Sequence, residues 1–359
     1  MWIYLLLAAG VFMGWSLGTN DAANAFGTAV GTGVVKYRTA VTIIASLVVL
    51  GAVLQGSGNL TSVNDMAVNN AVITTTEEAG AIIKEGGKEA GADLALKAGI
   101  KAAIIFTCAA LTVFIMSYLK FPVSANQSIT GAIIGWGLFH ADYSDAAVRS
   151  TNLAQLGKFA STWLLNPLGA AIISFLIVTL YNKLLANRMS KLANYDKMIK
   201  IGYLVAGAFA SYSIGINSSA SVTALYYGPE VEGVKTNILS NAQLAATIGG
   251  IAIALGVLTY SKKVMMTVGN SIAPLTQVEG FLVILAMSAT IVVMEKTMGI
   301  PVSTSQAVVG AVIGAGITKG VKNVNFGVFK NIGIAWISSP LAAGILTYLA
   351  AVATQGFLS

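Results

Sequence analysis

Charge is what this sequence has least of: charged residues make up 10% of its 359 positions, against 56% hydrophobic. Soluble domains run nearer ~25% charged, so the composition excludes an ordinary globular core and indicates an integral membrane protein. There is one cysteine, Cys108, and one histidine, His140. That scarcity excludes a disulfide framework and a thiolate or imidazole metal cage. An enzyme working inside the bilayer needs a nucleophile with a base, or a metal cage, and those groups are too few here. No basic residue precedes Lys36. The apolar start from Trp2 therefore lacks the charged opening of a cleaved signal peptide and reads as the first membrane helix.

The charge that is present is uneven. Net charge is +7, and Lys183, Arg188, Lys191, Lys197 and Lys200 crowd one connection, opposed only by Asp196. Cytoplasmic loops of membrane proteins carry such an excess, so the cluster marks topology and not nucleic-acid binding. It also divides the chain into a first repeat (1–186), a basic cytoplasmic connection (187–200) and a second repeat (201–359).

Two polar stretches interrupt otherwise apolar runs. The first is Gly18-Thr19-Asn20-Asp21-Ala22-Ala23-Asn24-Ala25-Phe26-Gly27, and Gly215-Ile216-Asn217-Ser218-Ser219-Ala220-Ser221 follows it 197 positions later. A carboxylate at membrane depth costs at least a few kcal/mol unless something binds it, so Asp21 is a functional residue by default. A second pair is Pro122-Val123-Ser124-Ala125-Asn126-Gln127-Ser128 and Pro301-Val302-Ser303-Thr304-Ser305-Gln306-Ala307, offset by 179. Each leads into a short glycine-rich arm, which predicts a re-entrant helical hairpin. Trp163 to Pro167 and Trp336 to Pro340 form a further pair, expected to interrupt the last segment of each half. Matched signals in one order make the chain an internal duplication, the pattern of secondary transporters. Gly131, Gly135, Gly310 and Gly314, spaced by four, are read as close helix contacts.

The fold expected is an all-α polytopic bundle of two repeats, parallel or inverted, each with a broken helix and a re-entrant hairpin. Helix starts at the hairpin tips favour an anion through free N–H groups and the dipole. No lysine or arginine lies within the motifs, so an anion there rests on neutral donors and co-bound cations. Asp21 then ligates Na⁺, takes up H⁺, or accepts a hydrogen bond from a protonated phosphate oxygen. Sulfate carries no proton to give, which favours phosphate.

At these residues the chain resembles the inorganic phosphate transporter (PiT) family over nearly its full length. Gly18 to Gly27 is similar to the family's Gly-Ala-Asn-Asp-Val-Ala-Asn-Ala signature, and the Pro-Val-Ser and Trp-x-x-x-Pro segments also match. The resemblance implies cation-coupled symport of inorganic phosphate with a site between inverted halves. By motif position it places substrate or cation ligands at Asn20, Asp21, Asn24, Ser124, Gln127, Asn217, Ser218, Ser303, Thr304 and Gln306. Ser128 joins the substrate set as a hairpin-tip hydroxyl. Asp21, Asn24, Asn217 and Ser221 form the Na⁺ set. The second copy departs from the family's Asn-Asp pair, reading Asn217-Ser218. A sulfate permease is therefore the alternative, and a passive anion channel the rival of another class. The coupling ion is Na⁺ or H⁺, with no cofactor beyond it. The expected setting is the cell membrane, multi-pass, with an exposed hairpin or final helix on which a homodimer could form.

Overall fold

Apolar runs of about 20 residues are long enough to cross a bilayer as helices, whose backbone groups are satisfied within the segment. The computed structural model describes residues 2–140, 146–186, 194–228, 230–231, 233–298 and 302–358. The first half holds α1 (Trp2–Asn20), α2 (Gly27–Gly31), α3 (Tyr37–Gln55), α4 (Leu60–Asn69), α5 (Thr76–Tyr118), α6 (Ala125–His140) and α7 (Ala146–Leu184). The second holds α8 (Tyr195–Thr223), α9 (Ala242–Tyr260), α10 (Lys262–Asn270), α11 (Gln277–Met298), α12 (Thr304–Ile317) and α13 (Phe326–Leu358). A two-residue antiparallel ladder, β1 (Glu230–Val231) with β2 (Val234–Lys235), links α8 to α9. Among the described residues seven helices are long and apolar enough to span a membrane. At 16 and 14 residues, α6 and α12 fall short of that length.

The two halves pack on one another reciprocally. Gly131 and Gly135 of α6 sit against the carbonyls of Pro340 and Gly344 in α13, while Gly310 and Gly314 of α12 sit against those of Pro167 and Ala171 in α7. An added Cβ would lie 2.1 Å from each of those four oxygens, so the glycines are what lets the backbones meet. Each short helix thus leans on the last long helix of the other half. The same exchange joins α3 to α8, where Gly51 meets the Tyr212 carbonyl and Gly215 meets that of Val48. The pair α3 and α9 runs antiparallel: the Gln243 side-chain amide donates to the Ala52 carbonyl (2.8 Å), and Tyr37 meets Ser261 (3.1 Å) at the opposite end. Buried aromatic side chains meet across the halves, Phe26 facing Gly207 and the Phe106 ring lying 5.2 Å from that of Tyr226.

Three expectations need correcting. First, α7 and α13 run unbroken through Pro167 and Pro340. Proline is tolerated inside membrane helices because neighbours re-satisfy the freed backbone groups. Second, the two polar motifs break differently. The first ends α1 at Asn20 and continues as a tight turn over Ala22–Phe26, whereas α8 continues through Asn217 to Ser221 and gives way only at Ala224–Tyr226. The second motif has no carboxylate to be drawn toward a hairpin tip, and its serines are compatible with helix. Third, residues Tyr195 to Lys200, assigned to the connection, are the first turns of α8. Arg188, Lys191 and Pro301 lie outside the described residues. α5 opens on a Thr75–Glu78 capping box and is broken at Gly87, where φ is +65°.

Candidate functional site

Both hairpin tips meet one side chain. Asp21 directly follows α1 and is 1% exposed. One carboxylate oxygen accepts from the backbone N–H of Ala125, the first residue of α6, at 3.0 Å. The other accepts from the Ser305 hydroxyl in the first turn of α12. The Asn24 amide donates to that same hydroxyl oxygen at 2.7 Å, and the Thr304 hydroxyl reaches the Asp21 backbone carbonyl at 3.5 Å. The Asn24 carbonyl oxygen is buried and has no partner within the protein. A carboxylate, a hydroxyl and an unspent carboxamide oxygen together suit a hard cation, which takes oxygen ligands. Two helix starts beside them suit an oxyanion.

The asparagines of the two motifs have another task. Asn20 donates to the Ser117 hydroxyl (2.9 Å) and the Phe121 carbonyl (3.0 Å), and its oxygen accepts from Val123 N–H (2.9 Å). Asn217 donates to the Val302 carbonyl (3.0 Å) and accepts from Val302 N–H (3.3 Å). Both pin the residue after a hairpin proline, using amide hydrogens that a substrate would otherwise receive. Asn217→Ala strips both partners from a buried backbone unit, at about 1–3 kcal/mol each. The expected outcome is a clear fall in thermal stability, read by unfolding in detergent. A pure ligand role would raise KM and leave the melting point alone.

Ser124 and Ser303 are helix caps, accepting from Gln127 N–H at 3.3 Å and Gln306 N–H at 3.1 Å. The Ser128 hydroxyl donates to the Ser124 carbonyl at 3.4 Å, and Ser218 accepts from Asn217 at 3.4 Å. Gln127 and Gln306 are buried with unpartnered carbonyl oxygens, and both border an otherwise largely apolar cavity of about 960 Å³ between α6, α7 and α13. The hydroxyl of Ser221 is also unpartnered and borders, with Asn126, a small cavity that Asp21, Asn24 and Ser305 do not line. Among the described residues no three His, Cys, Asp or Glu side chains group together.

Residues outside the expected set complete the scaffold. The Trp336 indole donates to the Pro122 carbonyl (2.9 Å) and the Asn166 amide to the Ser303 carbonyl (2.7 Å), so each Trp–Pro segment holds the opposite hairpin. The paired Trp-x-x-x-Pro spacing was the signal for that role. Ser117, which takes hydrogen bonds from Thr19 and Asn20, carried none. Glu279 lies away from the tips, ion-paired to Lys319 at 2.6 Å and accepting from Thr276 N–H at 2.7 Å. The side chain of Glu295 is outside the described residues.

Comparison with known proteins gives consistent relatives. The model of the phosphate transporter family matches residues 17–200 and 186–347. A candidate phosphate permease of Pyrococcus horikoshii is 27% identical over 413 residues, covering 96% of both chains. One from Thermococcus kodakarensis is 27% identical over 419 residues, covering 97% of both. A solved structure named the sodium-dependent phosphate transporter shares the fold, with TM-score 0.73, 23% identity and 99% of both chains covered.

Proposed function

The chain belongs to the phosphate transporter family and is a multi-pass membrane protein, not an enzyme, and we propose that it imports inorganic phosphate by symport with Na⁺. One observation carries this reading: the carboxylate of Asp21 joins the tips of both hairpins. A cation bound by Asp21, Asn24 and Ser305 neutralises the carboxylate and lets an oxyanion settle at the adjoining helix starts. Without the cation, Asp21 repels the anion and itself occupies the donor at the start of α6. Coupling follows from that competition. The name of the solved structure with this fold supports Na⁺ as the driving ion, and the absence of basic side chains from the tips fits an anion that must be released.

The halves are read as inverted repeats meeting at Asp21, supported by the antiparallel course of α3 and α9. Lys36, Arg38, Lys262 and Lys263 gather at one end, where Lys262 lies over the Tyr37 ring at 5.8 Å. That end faces the cytoplasm by the excess-charge rule. Phosphate is preferred to sulfate because a protonated phosphate oxygen can donate to a carboxylate. The test is uptake of labelled phosphate into proteoliposomes under imposed Na⁺ or H⁺ gradients, with sulfate as competitor. Accumulation driven by Na⁺ and resistant to sulfate is expected. Uptake indifferent to either gradient would end the symport reading.

A further inference from the structure

The duplication sets different chemistry at equivalent positions. Asp21, Asn24 and Ser305 form one hydrogen-bonded group. Their counterparts along the two offsets are Ser218, Ser221 and Asn126. In the first group the carboxylate is the hub. In the second the hub is a hydroxymethyl, too short to reach what a carboxylate reaches. The Asn126 carbonyl oxygen and the Ser221 hydroxyl are both buried and find no partner within the protein.

These two atoms belong to residues that border one small cavity, shared with Val63, Met66, Ile129, Thr130 and Phe159. Ser221 is 2% exposed there. The cavity leaves about 10 Å³ for the centre of a water molecule, close to the minimum that one water needs. The Thr130 hydroxyl is committed to the Asn126 backbone carbonyl at 2.9 Å. Asp65, on the neighbouring α4, is exposed and does not border the cavity. A bare Na⁺ would fit by size, yet four of the seven bordering residues are apolar and none is charged. Burying a charge without a paired partner is far costlier than burying a water with two.

We propose that Asn126 and Ser221 hold a single structural water, and that the second repeat contributes no coupling cation at this position. The inference rests on the reading of Asp21 as the cation ligand. It makes the duplicated transporter chemically one-sided: the charged half drives, and the other half supplies a neutral mirror of it.

Equilibrium binding of ²²Na⁺ to the purified full chain, with phosphate present, tests this. Ser221→Ala is expected to leave the Na⁺ affinity within about twofold of wild type, whereas Asp21→Asn removes the bound ion. Ser218→Asp is expected to steepen the Na⁺ dependence of phosphate uptake, raising the Hill coefficient by about one. A tenfold or greater loss of Na⁺ affinity in Ser221→Ala overturns the water assignment, whether or not Ser218→Asp folds. Undiminished Na⁺ binding in Asp21→Asn instead overturns the coupling role of Asp21, and the asymmetry with it.

Discussion

Asp21→Asn is expected to abolish gradient-driven phosphate accumulation, lowering the initial rate by a factor on the order of 100 or more, about 2.7 kcal/mol. Asparagine keeps the size of the side chain and an oxygen that accepts from Ala125 N–H, so the hairpin tips stay joined. What it loses is the charge that pairs with a cation. The variant should melt within a few degrees of wild type while failing to concentrate phosphate. Asp21→Ala differs in kind, because Ala125 N–H and the Ser305 hydroxyl lose an acceptor, at about 1–3 kcal/mol each. Measured side by side, melting temperature separates the two variants and uptake unites them. A passive channel gives the opposite pattern: downhill flux survives in Asp21→Asn, since no ion has to be bound for the pore to conduct.

The second large effect is on assembly. Gly131→Ala puts a methyl group 2.1 Å from the Pro340 carbonyl oxygen, and Gly310→Ala does the same at Pro167. Both obstacles are backbone, which cannot rotate out of the way. Overpacking of this kind typically costs 1–3 kcal/mol, and rigid backbone contacts place these two at or above the upper end, at about 3 kcal/mol or more. Each variant should melt far below wild type, or fail to give a monodisperse peak in detergent. Gly157→Ala and Gly333→Ala, where nothing lies within 4 Å of the added Cβ, are the controls. Alanine in a helix interior is favoured over glycine by roughly 0.5–1 kcal/mol, so these should melt at or slightly above the wild-type temperature. Comparable losses at all four positions would show that helix packing here does not depend on glycine contact.

Much of the architecture could be read from spacing. Glycines four apart announced close contacts at Gly131, Gly135, Gly310 and Gly314, and the contacts are there. Ordered pairs of motifs announced the duplication. Spacing does not say which element meets which: that α6 leans on α13, and not on its own α7, depends on where the chain turns in space. Residue type also leaves a role open. An asparagine at membrane depth can bind a ligand or repair a broken backbone, and the carboxamide geometry is identical in both uses. Asn20 and Asn217 repair Val123 and Val302. Asp21 was more legible because nothing neutral explains a buried carboxylate. Ser305 was visible only as one hydroxyl among several until α12 brought it to Asp21.

The crosswise embrace of the short helices has a consequence for how the polypeptide is made. Cut in two at the basic connection, neither fragment would be a folding unit, since each would present a row of glycines with no carbonyls to lie against. Produced together, the fragments should still find one another. A half-length relative carrying one set of these elements could persist in a bilayer only by enlisting an identical copy.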